Sequence, residues 1–119
     1  MSPESRDLAY LWDMLEYAKS VGEIMAGQSP HGWSHNITVR LAIERGLEII
    51  GEAARRVSET FREQYGDIPW QDIIGQRNIL AHEYGKIDYE ILYETVVRDI
   101  PTLVKQLQAL LPPEEPTGA

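Results

Sequence analysis

Apolar residues recur along the chain at spacings of three and four, with almost no strand-like alternation, and this pattern predicts an all-α protein. Ser2 followed by Pro3 reads as a cap with proline at the first helical position. Leu8, Leu11, Leu15, Ala18, Val21 and Met25 then mark a first helix ending near Gly27. The stretch GQSPHGWSHN reads as a loop anchored by a buried Trp33, and it is expected to form part of a pocket rim. From 36 to 61 a long second helix carries Val39, Ala42, Ile43, Gly46, Ile50, Ala53, Ala54, Val57 and Phe61 on one stripe. Its small residues, Ala42, Gly46, Ala53 and Ala54, let a neighbouring helix come close, although Gly46 costs about 1 kcal/mol of helix propensity against alanine. Leu41 and Ile49 lie off this stripe beside Arg45, Glu48 and Glu52, a mixed face suited to a partner subunit.

Tyr65, Gly66 and Asp67 interrupt the pattern. IPWQDII opens a third helix that should run to about Tyr84 and stop at Gly85. Asp88 caps a fourth, whose positions Tyr89, Leu92, Tyr93, Val96, Ile100, Leu103, Leu107 and Leu110 keep the period to Leu111, with a kink expected at Pro101. The expected architecture is an antiparallel four-helix bundle in one domain over 1–111, followed by a disordered tail over 112–119.

Nineteen acidic and eleven basic residues give a formal charge of -8, so no global positive field draws this chain to nucleic acid or anionic lipid. Any anion site must be local. The absence of cysteine removes disulfides, thiolate nucleophiles, cysteine-ligated zinc and iron–sulfur clusters together, and makes a reducing cytoplasm the default expectation. No apolar run reaches the roughly twenty residues of a membrane span, and MSPESRDL lacks the features of a signal peptide. His31 and His35 in the loop lack a third ligand, so no metal or other cofactor is assigned.

The third helix holds one anomaly. With Trp70 as zero bearing, Ile73, Ile74, Leu80, Ala81 and Tyr84 fall within roughly 80° of it and define a buried stripe, and Arg77 lies in the middle of that stripe. A guanidinium stays charged at ordinary pH, so Arg77 must meet a carboxylate, a wet pocket or a bound anion. Glu48 and Glu52 are the candidate carboxylates, and on spacing alone a structural ion pair competes evenly with a functional site. Asn78 and His82 stack four apart on one flank, and Tyr84 lies seven residues beyond Arg77. Arg77 and His82 diverge by roughly 140°, so a full site calls for a second copy of the helix. These side chains suffice for metal-independent RNA cleavage: His82 as base for a ribose 2′-hydroxyl, Arg77 as phosphate clamp, Asn78 and Tyr84 as supports. Each also has a plainer reading: His82 as a helix-end residue favoured by the dipole, Asn78 as a solvated polar residue, Tyr84 as a core aromatic.

The run GQRNILAHEYG, with its Arg-Asn-x-x-x-His-x-Tyr order, resembles the HepT-like proteins of the HEPN superfamily. LEIIGEAARRVS, IPWQDIIG and RDIPTLVKQL are similar to the same family, which extends the resemblance over roughly Val39 to Leu111. The resemblance implies a four-helix or five-helix HEPN bundle, a homodimer whose two motif helices line a shared cleft, and RNA cleavage by Arg77 and His82 with Asn78 orienting the motif. It further implies a toxin paired with an MntA-type nucleotidyltransferase antitoxin, with Tyr84 in the place of the tyrosine that receives AMP. An added phosphate beside Arg77 would compete with RNA for the same cation. The alternative is a non-catalytic module that holds a nucleotide or docks the partner enzyme. Dimerisation that gathers Arg77, Arg45 and Lys86 in one cleft is the expected remedy for the acidic net charge.

Overall fold

Gly27, with φ of +82°, occupies the left-handed conformation that glycine adopts without a Cβ penalty, and it closes the first helix. The computed structural model describes residues 3–113, which fold as helices α1 (Pro3–Met25), α2 (Ile37–Arg56), α3 (Glu59–Gln64), α4 (Trp70–His82), α5 (Tyr89–Glu94) and α6 (Ile100–Leu110). Short 3₁₀ turns at Trp33–His35 and Tyr84–Lys86 and a π turn at Thr95–Asp99 complete the path. The expected cap at Ser2 and most of the expected tail lie outside the described residues. No described helix is long and apolar enough to cross a membrane.

Asp7 meets Ser58 and Val21 meets Gly46, so α1 and α2 run antiparallel. α1 also packs along α6, and α2 along α4. The C-terminal end of α1 shares a crevice with Tyr93 of α5, Val96 and Val97 of the π turn and Pro101 at the start of α6. Leu11, Ile43, Ile50, Val96 and Leu107, positions that the three-four spacing marks, are fully buried between these helices, as is Met14, which that spacing did not mark, whereas Leu8, which it did, is exposed. Trp33 is buried as expected and meets Tyr89 edge to face at 5.8 Å, while Pro30 and His31 rather than Trp33 line the adjoining groove.

Three boundaries differ from those read in the sequence. The second helix stops at Arg56 instead of running to Phe61: Val57 and Ser58 are extended, and the Ser58 hydroxyl accepts a bond from the Phe61 N–H to cap α3. A distant residue holds that break in place. The Asp7 carboxylate accepts bonds from the Ser58 N–H at 2.8 Å and the Ser58 hydroxyl at 2.7 Å. Asp7 is the one described charged or polar residue classed as buried, at 6% exposure. Asp7→Ala removes both charge-assisted bonds and leaves the Ser58 donors without them, an expected loss of about 2 kcal/mol readable in urea unfolding. A loss below about 0.5 kcal/mol would show that the break does not depend on this contact.

The third helix ends at His82, because Glu83 leaves helical geometry (φ -134°, ψ 40°), two residues before the expected stop. The fourth is confirmed at its start, where the Asp88 carboxylate accepts bonds from the N–H groups of Glu90 and Ile91. Its irregularity falls ahead of Pro101 rather than at it, in the wide Thr95–Asp99 turn, where the Ile100 N–H donates to the Thr95 carbonyl. The proline ring crowds the carbonyl four residues before it, and a wider turn relieves that crowding.

Candidate active site

A groove of about 550 Å³ opens between α1, α2 and α4, and Arg77 lies on its wall. Tyr10, Asp13 and Tyr17 line it from α1, and Arg45, Glu48, Glu52 and Arg56 from α2. Burial and the neighbouring Glu16 charge raise the Asp13 carboxyl above its ordinary range. Arg77 reaches the groove because α4 crosses α2 at Gly51: a Cβ there would collide with Arg77 Cβ and come within 2.9 Å of the Ile73 carbonyl oxygen. The buried Arg77 of the sequence pattern is thus brought to the next residue along, Glu52.

Arg77 Nη2 stands 2.8 Å from Glu52 Oε2, with the two side chains 19% and 29% exposed. Arg77 Nη1 donates to Asn78 Oδ1 at 3.0 Å. Glu52 is therefore the carboxylate that the sequence required, and Glu48 pairs with Arg45 instead at 3.1 Å. The pair is neither dry nor saturated. Arg77 Nε and Glu52 Oε2 are buried without an aligned hydrogen bond, so the close Nη2–Oε2 approach is ionic contact more than directed bonding, and any donor left for a ligand is on Nη1 or Nη2.

Glu52 collects more than one cation. Its Oε1 accepts from Arg55 Nη2 and from Arg56 Nε, both at 3.0 Å. These bonds, Arg55 first and Arg56 next, hold its carboxyl down to about 2, against the opposing effect of burial, and the charges of Arg55 and Arg77 add to them. Arg56 is raised in turn, chiefly by Glu52 and then by Tyr10. Three guanidiniums surround this one carboxylate, while the groove lining as a whole sets Arg45, Arg56 and Arg77 against Asp13, Glu48 and Glu52. A second concavity, of about 680 Å³, includes Asp88, Glu90, Glu94 and Asp99 with Arg98, an acidic lining ill suited to phosphate.

Within one chain the structure brings together Arg77, Asn78 and Glu52, and leaves His82 and Tyr84 apart from them. His82 is the exposed last residue of α4 and does not line the Arg77 groove. Tyr84 is 75% exposed, which corrects its placement on the buried stripe: the helix ends at His82, so the helical period no longer sets its bearing. Arg45 shares the groove with Arg77, whereas Lys86 pairs with Glu83 at 3.0 Å outside it. Ile37, Leu41 and Ile79 are exposed apolar residues on α2 and α4. The cluster of Glu52, Arg55 and Arg56 went unread in the sequence as a site, although the run Glu-x-x-Arg-Arg on one helix turn signals it.

A family model described as Ribonuclease HepT-like matches residues 14–110. The chain is 40% identical over 100 residues to "Putative RNase MJ1380" of Methanocaldococcus jannaschii, covering 84% of this chain and 92% of that protein. It is 36% identical over 106 residues to "Putative RNase TTE0752" of Caldanaerobacter subterraneus, covering 89% and 95%. With "Probable ribonuclease HepT" of Thermococcus cleftensis it shares 31% identity over 101 residues, covering 85% and 92%. No solved structure gives a significant match. The family match begins at Met14, so part of α1 joins the region that the motifs had marked from Val39 onward. The all-helical bundle and these matches agree: the chain belongs to the HepT-like ribonuclease family of HEPN proteins.

Proposed function

We propose that this protein is a metal-independent endoribonuclease that cuts RNA with Arg77 and His82 in a cleft between two copies of the chain. The observation that carries this reading is Arg77 itself, a permanent cation only partly buried on the wall of an open groove. In the reaction His82 takes the proton of a ribose 2′-hydroxyl. The 2′-oxygen attacks the adjacent phosphorus, and the bond from phosphorus to the 5′-oxygen breaks. The leaving oxygen takes a proton from water and His82 returns the one it accepted to solvent, giving a 2′,3′-cyclic phosphate and a 5′-hydroxyl. Arg77 holds the phosphate oxygens as negative charge builds on them, and Asn78 orients the guanidinium. The required 2′-hydroxyl makes the substrate RNA.

Two identical chains supply the convergence that one lacks. His82 stands outside the Arg77 groove in a single chain, and a two-fold axis brings a second motif helix opposite the first. Exposed Ile37, Leu41 and Ile79 offer apolar surface for that contact. The test is incubation of the purified protein with tRNA in EDTA: the wild type cleaves, and Arg77→Ala and His82→Ala each cleave at least about a hundredfold more slowly. Wild-type cleavage by both variants would remove the assignment.

The regulatory half of the reading is a toxin–antitoxin pair in which an MntA-type nucleotidyltransferase adds AMP to Tyr84. The exposure of Tyr84 suits an acceptor. Intact mass after incubation with such an enzyme and ATP should rise by whole AMP groups in the wild type and stay unchanged in Tyr84→Phe. A mass gain in Tyr84→Phe equal to the wild type would exclude Tyr84 as the acceptor. The competing interaction-module reading is favoured by the same exposed tyrosine, and it predicts modification without any RNA cleavage.

A further inference from the structure

We infer that Glu52 is a positioning residue that fixes the Arg77 guanidinium at the groove wall before RNA arrives; the inference rests on the reading of Arg77 as the phosphate clamp. An arginine side chain is long and samples many rotamers, and a clamp that must be ordered at the moment of reaction loses transition-state stabilisation. Here it is held at both ends. Gly51 lets the α4 backbone sit so close to α2 that Arg77 Cβ lies directly over it. Glu52 and Asn78 then take the two Nη atoms at 2.8 and 3.0 Å.

A carboxylate beside a phosphate clamp would ordinarily repel the phosphate. The neighbours of Glu52 answer that objection. Arg55 and Arg56 both donate to Oε1, the carboxylate oxygen that Arg77 does not contact, so the charge of Glu52 is shared among three guanidiniums and is not left to face the phosphate alone. The same bonds keep Glu52 ionised down to about 2, so its hold on Arg77 does not lapse anywhere in the range where an imidazole base operates. Arg55 and Arg56 are about half exposed, free to screen the site without being buried in it.

The experiment is steady-state cleavage of tRNA by the full chain carrying Glu52→Gln, which keeps the shape and removes the charge. Because the loss concerns orientation, kcat should fall about tenfold or more while KM stays within about threefold. Glu52→Gln introduced into Arg77→Ala should cost nothing further, since there is no guanidinium left to place. A wild-type kcat in Glu52→Gln, a loss confined to KM, or losses that multiply in the double variant would each overturn the inference. Where Glu52→Gln fails to fold, Arg55→Ala/Arg56→Ala serves instead: unmasking the carboxylate should raise KM about tenfold, and an unchanged KM would overturn the inference. Arg77→Ala inactive beside fully active Glu52→Gln removes this inference alone, whereas Arg77→Ala as active as wild type removes the clamp and the inference with it.

Discussion

Replacing His82 with alanine should lower RNA cleavage by roughly a hundredfold to ten-thousandfold, the usual contribution of a positioned general base, while leaving the fold almost untouched. The separation of the two effects follows from where His82 sits. It is exposed at the last position of α4, so its removal forfeits no core packing. Arg77→Ala should abolish cleavage to a similar extent but with a different stability signature. It strips Glu52 of one of three cations and empties a partly buried position packed over Gly51. Its melting temperature should therefore drop where that of His82→Ala holds. Thermal unfolding of the two variants beside the EDTA cleavage assay reads both quantities. Wild-type cleavage by a folded His82→Ala protein would take the base away from His82 and leave Arg77 as an anion site without a chemical partner.

The contrast between these residues also marks how far the sequence can be read. Three-four spacing identifies α1, α2, α4 and the last helical stretch, because apolar periodicity is a local record of which face meets the core. Asp88 announces its own cap, since the bonds it accepts lie within the next three residues. Arg77 stands out for the same reason: a permanent charge on a greasy stripe has to be answered by something, and Glu52 was one of two residues able to answer it. The break after Arg56 escapes this kind of reading. Ser58 is a good cap, but the choice between a cap and one more helical turn is made by Asp7, fifty-one positions away in sequence. The exposure of Tyr84 escapes it too, because projecting a helical bearing past His82 assumes that the helix continues. Local pattern reports faces; long-range contacts decide where helices end.

Gly51 shows the same division and carries the second large effect. On propensity alone Gly51→Ala should stabilise α2 by about 1 kcal/mol, since glycine is the poorer helix former. The packing reverses that sign. A methyl group at this position would overlap Arg77 Cβ, crowd Arg77 Cγ at 2.9 Å and meet the Ile73 carbonyl oxygen at 2.9 Å. The carbonyl belongs to the α4 backbone, so relief requires moving a helix and not merely turning a side chain. Overpacking of that kind costs about 1–3 kcal/mol, and more where backbone must shift, so Gly51→Ala should destabilise the protein by about 2 kcal/mol in urea unfolding despite the gain in propensity. Gly22 and Gly75 supply internal controls: both are helical and nothing lies within 4 Å of a Cβ built on either. Alanine at those positions should therefore stabilise by up to about 1 kcal/mol. Gly51 is also the point at which the fold delivers Arg77 to Glu52, so the displaced α4 should take the guanidinium with it and lower cleavage further than the loss of stability explains. A Gly51→Ala protein as stable as Gly75→Ala would mean that the two helices cross with more room than the structure gives them. The close seating of Arg77 over α2 would then no longer account for its reach to the groove.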